Sequence, residues 1–208
     1  IMGEGDKIIF GDKVEMYEEE RNIRIKGKEC NFYEKEKKAT FLKDVFAWTS
    51  DYTLKTNILD IYEDKIFAKE GAEINSVKSD KNFSLKAKEI SVKSGGDVIE
   101  ALGSVFFKYE NYEMKGYYLQ IFRNEEKFVK LILTDLVQFF TIDNIQKGSG
   151  ELLELYPEDN FLILEGCPCI LEDIREGKIE TQKILLIKEP FEILIIDERK
   201  GKITYKGK

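Results

Sequence analysis

The sequence predicts an all-β chain, an elongated, repeat-built β-jelly-roll or solenoid of two facing antiparallel sheets. Three observations predict it. Apolar and polar residues alternate with period two over most of the 208 residues, which is the pattern of strands with one buried face. Short polar segments of turn composition separate these stretches. The strand–turn–strand pattern then recurs at a spacing of ~30 residues, the signature of a stacked repeat architecture.

The elements follow in chain order. Segment 12–17 (Asp-Lys-Val-Glu-Met-Tyr) alternates, turns at 18–20 (Glu-Glu-Glu) and continues as 23–30. Segment 40–53 adds further alternating material. Segments 58–62 and 65–72 flank a turn at Glu63 and Asp64. Segments 88–92 and 98–107 flank Gly95, Gly96 and Asp97. Segment 116–140 is a degenerate copy that turns at 123–125. Segments 152–156 and 161–167 flank the turn 157–160 (Pro-Glu-Asp-Asn), and 184–196 opens a last copy. First strands start near 14, 58, 90, 119, 152 and 184, at intervals of 44, 32, 29, 33 and 32 residues. The chain reads as one repeat domain over 1–208, with units starting near 12, 56, 88, 116, 150 and 182. Gly27, Gly71, Gly103 and Gly166 each follow one alternating strand and precede another. Glycine inside a strand pattern marks a bulge or a sharp bend, so a corner is expected there in every unit. Corners at one level fold the ribbon into two sheets whose apolar faces meet.

Composition narrows the chemistry. The apolar fraction is 42%, with 14 Phe, 10 Tyr and 1 Trp, enough for a packed core. Net charge is −7 with both signs interspersed, which lacks the basic stripe that nucleic-acid phosphates require. Without histidine, Ser-His-Asp and Cys-His catalysis and the HExxH zinc motif are excluded. The 40 acidic residues offer many carboxylate pairs for glycoside hydrolysis, but they sit in turns or on the polar face of alternating strands. No phosphate-binding glycine motif occurs, and Gly148-Ser149-Gly150 reads as a turn. Asn82-Phe83-Ser84 matches a glycosylation sequon. The three cysteines, Cys30, Cys167 and Cys169, are not spaced as a disulfide framework. On a strand Cys167 and Cys169 would share a face and fill the core. No catalytic residue, metal or cofactor is expected.

No run of ~18 apolar residues spans a membrane as a helix, and the first ten residues lack the layout of a signal peptide. Because Ile1 precedes Met2, the expectation is a chain that begins after a removed signal or anchor and is exported.

The repeated units just quoted resemble the OstA/LptA-like family, which includes the LptA and LptC periplasmic lipopolysaccharide-transport proteins. The resemblance rests on the strand 12–17, its charged turn, the strand 23–27 (Ile-Arg-Ile-Lys-Gly), and second halves at 98–107 and 161–171; it covers about 12–205. After the glycine this chain has Lys28, Ala72, Ser104 or Cys167, where the family often has asparagine. The resemblance implies a twisted, open β-jelly-roll (a β-taco) whose hydrophobic groove shields acyl chains. It implies a non-catalytic periplasmic carrier or bridge for lipopolysaccharide or a similar amphipathic glycolipid in outer-membrane assembly. Other Lpt-type proteins, or further copies of the chain, would join by end-to-end strand addition, for which unpaired sheet edges are suited. Nucleic acid is not an expected partner.

Candidate groove residues follow from the pleat, in which every second side chain faces inward. Counting back from the glycines gives Ile23 and Ile25, Ile66 and Ala68 (shifted by one), Ile99 and Ala101, and Leu162 and Leu164. Facing strands are expected to supply Val14, Met16, Leu59, Ile61, Ile90, Val92, Leu153 and Leu155. Each is equally well placed to be plain core. Two other functions fit the same pattern: a structural β-solenoid scaffold that polymerises end to end without ligand, and a carbohydrate-binding or carbohydrate-degrading β-helix. The scaffold requires short regular repeats and a filled core.

Overall fold

The structure, a computed structural model, describes residues 2–4, 7–19, 22–77, 83–93, 96–124, 127–143, 145–174, 177–187, 192–197 and 202–207, with backbone alone for 2–4, 196–197 and 202–207. Among these residues the regular structure is all strand: β1 (Met2–Glu4), β2 (Lys7–Glu18), β3 (Ile23–Tyr33), β4 (Lys38–Trp48), β5 (Tyr52–Ile61), β6 (Lys65–Lys69), β7 (Ala72–Ser76), β8 (Phe83–Ala87), β9 (Glu89–Lys93), β10 (Val98–Tyr109), β11 (Tyr112–Asn124), β12 (Lys127–Thr141), β13 (Gln146–Tyr156), β14 (Phe161–Asp173), β15 (Gly177–Ile187), β16 (Glu192–Asp197) and β17 (Lys202–Gly207). Contacts divide the chain into two compact units, Ile1–Leu102 and Gly103–Lys208. In the first, β2 to β5 form an antiparallel meander. β5 then pairs with both β6 and β7, which pair in turn with β9 and β8. In the second, β11 to β17 pair strictly in sequence. The sequon's Asn82 lies outside the described residues, while Phe83 and Ser84 are in β8.

Many strands run 11 to 15 residues, twice the usual length of about 5–6. They do so by bending midway. The ladder slips between Gly11 and Val14, Lys26 and Glu29, and Leu42 and Val45 in the first unit. In the second it slips between Lys115 and Tyr118, Thr134 and Val137, Ser149 and Leu152, and Glu165 and Cys169. On alternate strands the bend is a pair of left-handed residues: Asp12-Lys13, Lys43-Asp44, Glu70-Gly71, Gly103-Ser104 and Asp135-Leu136. A sixth bend holds Gly166, Cys167 and Pro168, with a cis Cys167–Pro168 peptide. These corners start at 12, 43, 70, 103, 135 and 166, at intervals of 31, 27, 33, 32 and 31 residues. The corner expected at Gly71, Gly103 and Gly166 is there. Gly27 instead sits in the slip of an intervening strand without a positive φ. Three of the six corners hold no glycine: Asp12-Lys13, Lys43-Asp44 and Asp135-Leu136. Exposed Asp and Lys side chains point away from the fold, so the cost of φ > 0 is only the modest local one.

Strand halves pair only with halves on the same side of the corner. Within each unit, the two expected facing sheets are therefore two layers of one folded sheet. Their inward faces are continuous cross-strand rows. In the first unit one layer carries Phe10, Cys30, Phe41, Leu59, Ala68, Ile90 and Ala101 as one row. The other carries Met16, Ile25, Ala47, Leu54, Ile74 and Leu85. In the second unit Leu119, Leu133, Leu153, Leu164 and Ile184 form one row, and Ile121, Leu131, Leu155, Leu162, Leu186 and Ile193 the next. Each such Leu or Ile contributes about 1.5–3 kcal/mol on burial. Phe128 of β12 meets Phe107 and Tyr109 of β10 at ring-centroid distances of 6.4 and 5.1 Å, joining the two layers of that unit.

Gly148 and Gly150, expected in a turn, lie instead within β13 at the corner level. They are needed for close approach. A Cβ at Gly148 would stand 2.2 Å from Cε1 of Phe139, and one at Gly150 would stand 2.5 Å from the Glu165 carbonyl oxygen. That oxygen is backbone and cannot swing aside. Gly150→Ala is expected to lower stability by about 1–3 kcal/mol. Gly11→Ala, where a Cβ meets nothing within 4 Å, should stay within about 0.5 kcal/mol of wild type. Urea titration of both variants checks this, and equal midpoints would refute the close-approach account.

Candidate functional site: the inward face

The candidate groove residues all lie on inward faces, and the register decides which of them meet. Met16 pairs with Ile25, Leu59 with Ala68, Ile61 with Ile66, Ala101 with Ile90 and Ile99 with Val92. Leu153 pairs with Leu164 and Leu155 with Leu162. Residues read from sequence as facing strands are thus neighbours across a hairpin in one layer. In the first unit Val14, Met16, Ile23 and Ile25 belong to one layer. Leu59, Ile61, Ile66, Ala68, Ile90, Val92, Ile99 and Ala101 belong to the other. The layer opposite Leu153 and its neighbours is built from residues that sequence reasoning did not select, among them Met114, Phe139, Leu171 and Ile179. Their alternation was visible, but the layer each half-strand joins depends on where the corner falls.

Burial separates the candidates into two groups. Ile25, Leu59, Ala68, Ile90, Ala101, Leu153, Leu155, Leu162 and Leu164 are sealed, each 2% exposed or less. Ile23, Ile61, Ile66 and Ile99 are buried as well. Val14, Met16 and Val92 are only half-buried. Around β2 and β3 the inward face stays partly open: Ile8 and Phe10 are half-buried, and Phe32, in the row with Ile8, Ala39 and Ile61, is 37% exposed. Sealed and open positions share rows, Phe10 with Leu59 and Met16 with Ile25, and the open ones are in β2, β3 and β9.

The outer face holds a charge cluster that alternation alone read as solvated surface. Asp60 points outward from β5 yet is 2% exposed. Its Oδ1 accepts a hydrogen bond from Thr40 Oγ1 at 2.6 Å and lies 3.3 Å from Lys38 Nζ, while Lys69 Nζ donates to Oδ2 at 2.8 Å. Lys38 sits between the rings of Tyr33 and Tyr62, at 5.6 and 5.3 Å, and Lys69 lies 4.7 Å from the Phe67 centroid. The lysine stems and rings cover the carboxylate. Burial pushes the Asp60 pKa upward, but the hydrogen bonds from Lys69 and Thr40 and the charges of Lys38 and Lys69 outweigh it and hold the carboxyl below its ordinary value. A depressed pKa stabilises the fold above the unfolded value of about 4 and loses that contribution as pH falls through the folded value. Asp60→Asn should therefore flatten the decline in stability between about pH 5 and about pH 2. Urea midpoints across that range test it; a decline as steep in the variant as in wild type would refute it.

The cysteines depart from the expectation in one respect. Cys30 and Cys169 are buried, but Cys167 is exposed, and all three are free. The strand turns its corner between Cys167 and Cys169, which interrupts the period-two rule that placed them on one face. Burial pushes the thiols of Cys30 and Cys169 up to about 11, so both stay protonated and unreactive at neutral pH. Maleimide should label Cys167 alone in the native protein and all three cysteines in denaturant, as read by mass spectrometry. Rapid native labelling of Cys30 or Cys169 would contradict the burial. Among the described residues, no group of three Cys, Asp or Glu side chains is arranged to hold a metal ion.

Fold and interior define an all-β protein, each of whose units is a sharply bent antiparallel sheet closed over apolar rows. Among solved structures it is similar in part to LptH of Pseudomonas aeruginosa, described as the LptA-homologous periplasmic component of a lipopolysaccharide transport device. The TM-score is 0.47 and the identity 11%, over 53% of this chain and 84% of that one. No family model matches the sequence, and no curated protein matches it. A superposition this partial carries no argument about what this chain binds; its all-β class rests on its own strand ladders.

Proposed function

We propose that this protein is a non-catalytic periplasmic carrier that shields the acyl chains of lipopolysaccharide or a similar glycolipid between its two sheet layers during outer-membrane assembly. The observation that supports this reading most is the half-open apolar face around β2 and β3, where Ile8, Phe10, Val14, Met16 and Phe32 face inward without being sealed. Each methylene withdrawn from water there contributes about 0.8 kcal/mol, so a short length of acyl chain supplies useful affinity. The sixteen groove candidates divide accordingly: Val14, Met16 and Val92 are positions of lipid contact, and the sealed ones form the packed floor. Lpt-type proteins or further copies of the chain are the proposed partners, added end to end through sheet edges.

A second reading, the ligand-free scaffold, has its own support: most inward rows are fully packed and the corners recur at 27 to 33 residues. Site-specific photo-crosslinking separates the two. Benzoylphenylalanine at Met16 or Val92, in cells with labelled lipopolysaccharide, is expected to capture lipid, whereas the outward Arg24 and Lys26 positions are not. Capture at neither inward position, together with concentration-dependent filaments of purified protein, would sink the carrier and leave the scaffold.

A further inference from the structure

The outer face of the first unit carries aromatic rings that the packing of the interior does not use. In β4, Phe46 and Trp48 point outward on either side of the buried Ala47, and their rings stack at 5.4 Å between centroids. Trp48 is the single tryptophan of the chain and is half-exposed. Tyr17, two strands away in the same cross-strand row, is 52% exposed. Basic side chains lie against these rings: Lys26 Nζ is 5.1 Å from the Trp48 centroid, and Arg24 Cζ is 5.7 Å from that of Tyr17. Tryptophan, tyrosine and arginine are the residues most enriched where protein interfaces concentrate their binding energy. The register sets a row of charges beside them. Glu15, Lys26, Phe46, Lys55, Glu73 and Lys86 are successive partners across β2, β3, β4, β5, β7 and β8. Lys26 lies 3.5 Å from Glu15, and Lys86 lies 3.3 Å from Glu73. As isolated exposed pairs these contribute little.

We propose that this face packs against the same face of a second copy of the chain, about a two-fold axis running along the strands between β4 and β5. Such an axis reverses the strand order of the facing sheet and keeps the level along each strand. From β2 to β8 the row reads negative, positive, neutral, positive, negative, positive. Reversed upon itself, it sets Glu15 against Lys86 of the second copy, Lys26 against Glu73, and Phe46 against Lys55. No like charges meet. At each end the two exposed pairs join into a closed quartet of alternating sign, and charge networks of this kind hold better than isolated pairs. In the neighbouring row Arg24 meets Asn75 and Trp48 meets Thr53, a guanidinium facing an amide and an indole N–H facing a hydroxyl. A two-fold axis across the strands, between the two rows, would instead set Arg24 against Lys26. A closed two-fold contact needs one patch complementary to itself, and the order of charges meets that need in the first orientation. Phe46 and Trp48 flank the axis, so the rings form the centre and the charges the rim, as in specific interfaces. A spacing of about 10 Å between facing sheets lets the two sets of side chains interdigitate. The contact uses outward side chains, so it is distinct from the acyl-chain face and from strand addition at sheet edges.

The test is sedimentation velocity of the full chain across the micromolar range, followed in parallel by Trp48 fluorescence. A closed dimer should form as concentration rises, and the Trp48 emission should move to the blue with the same midpoint. Lys26→Glu and Glu73→Lys should each weaken the dimer about tenfold or more, a loss of about 1.4 kcal/mol, and the two together should restore it. Within one copy Lys26 and Glu73 stand three strand spacings apart, about 14 Å, so the rescue can come only from a second copy. Their side chains are 54% and 33% exposed, and a urea midpoint near that of wild type checks that each variant folds. Four results would overturn the proposal: a monomer throughout the range, a Trp48 emission that ignores association, single reversals that leave the dimer unchanged, or a double variant no better than the single ones. Assembly that grows past the dimer and ignores the reversals is edge addition, and it too would overturn the face-to-face contact. Lipid crosslinking at Met16 and Val92 is read separately, so failure of either reading leaves the other measurable.

Discussion

A long β-strand can keep one face dry only where a second layer covers it. In each unit of this chain the covering layer is the other half of the same strands, so everything depends on the strands of that unit bending at a common level. The bend is made by paired left-handed residues on alternate strands and by ladder slips on the strands between them. Once the corners align, hydrophobic rows form on both sides without further instruction, because pairing register carries each inward position to its neighbour. A corner displaced by one residue would turn half a strand inside out. Corner placement thus governs the core more strictly than the choice among Leu, Ile and Val within a row.

The same geometry distributes polar chemistry. Most inward positions are sealed and apolar, with Thr56 and Thr181 buried beside corners. Elsewhere the inward face is completed in different ways. Around β2 and β3 it leaves partly exposed Ile, Val, Met and Phe. At the end of β10 it is filled by the rings of Phe107, Tyr109 and Phe128. At the tip of β13 and β14 it takes a hydrogen-bonded polar row, Thr141, Gln146 and Asp173. On the outer face, Asp60 is removed from water under lysine stems and aromatic rings, a charge retained because three groups compensate its desolvation. Within each unit, a bent sheet with an apolar interior thus carries chemically distinct surfaces on its two faces and at its tips.

Alternation was readable along nearly the whole chain, and the turns after β2, β5 and β13 fall where charged or Pro-Glu-Asp-Asn segments stand. The inward character of all sixteen groove candidates was readable for the same reason: a period of two specifies a face. Glycine marked three corners and missed those at Asp12-Lys13, Lys43-Asp44 and Asp135-Leu136, because exposed non-glycine residues, Leu136 among them, enter the left-handed region there without leaving a compositional trace. Gly148 and Gly150 had the look of a turn and proved to be points of close contact, since what excludes a side chain there comes from Phe139 and Glu165, distant in sequence. Cys167 and Cys169 were assigned one face by a rule that holds only while a strand stays straight.

By itself, then, the sequence determined the strand class, the hairpins and the identity of the buried face, since these are local properties of periodicity and turn chemistry. Tertiary structure alone decided which layer each half-strand joins, which inward residues are sealed or half open, and that Asp60 and the Gln146–Asp173 pair are buried. Those outcomes depend on where strands bend and on what covers them, and both are set by contacts between residues far apart along the chain.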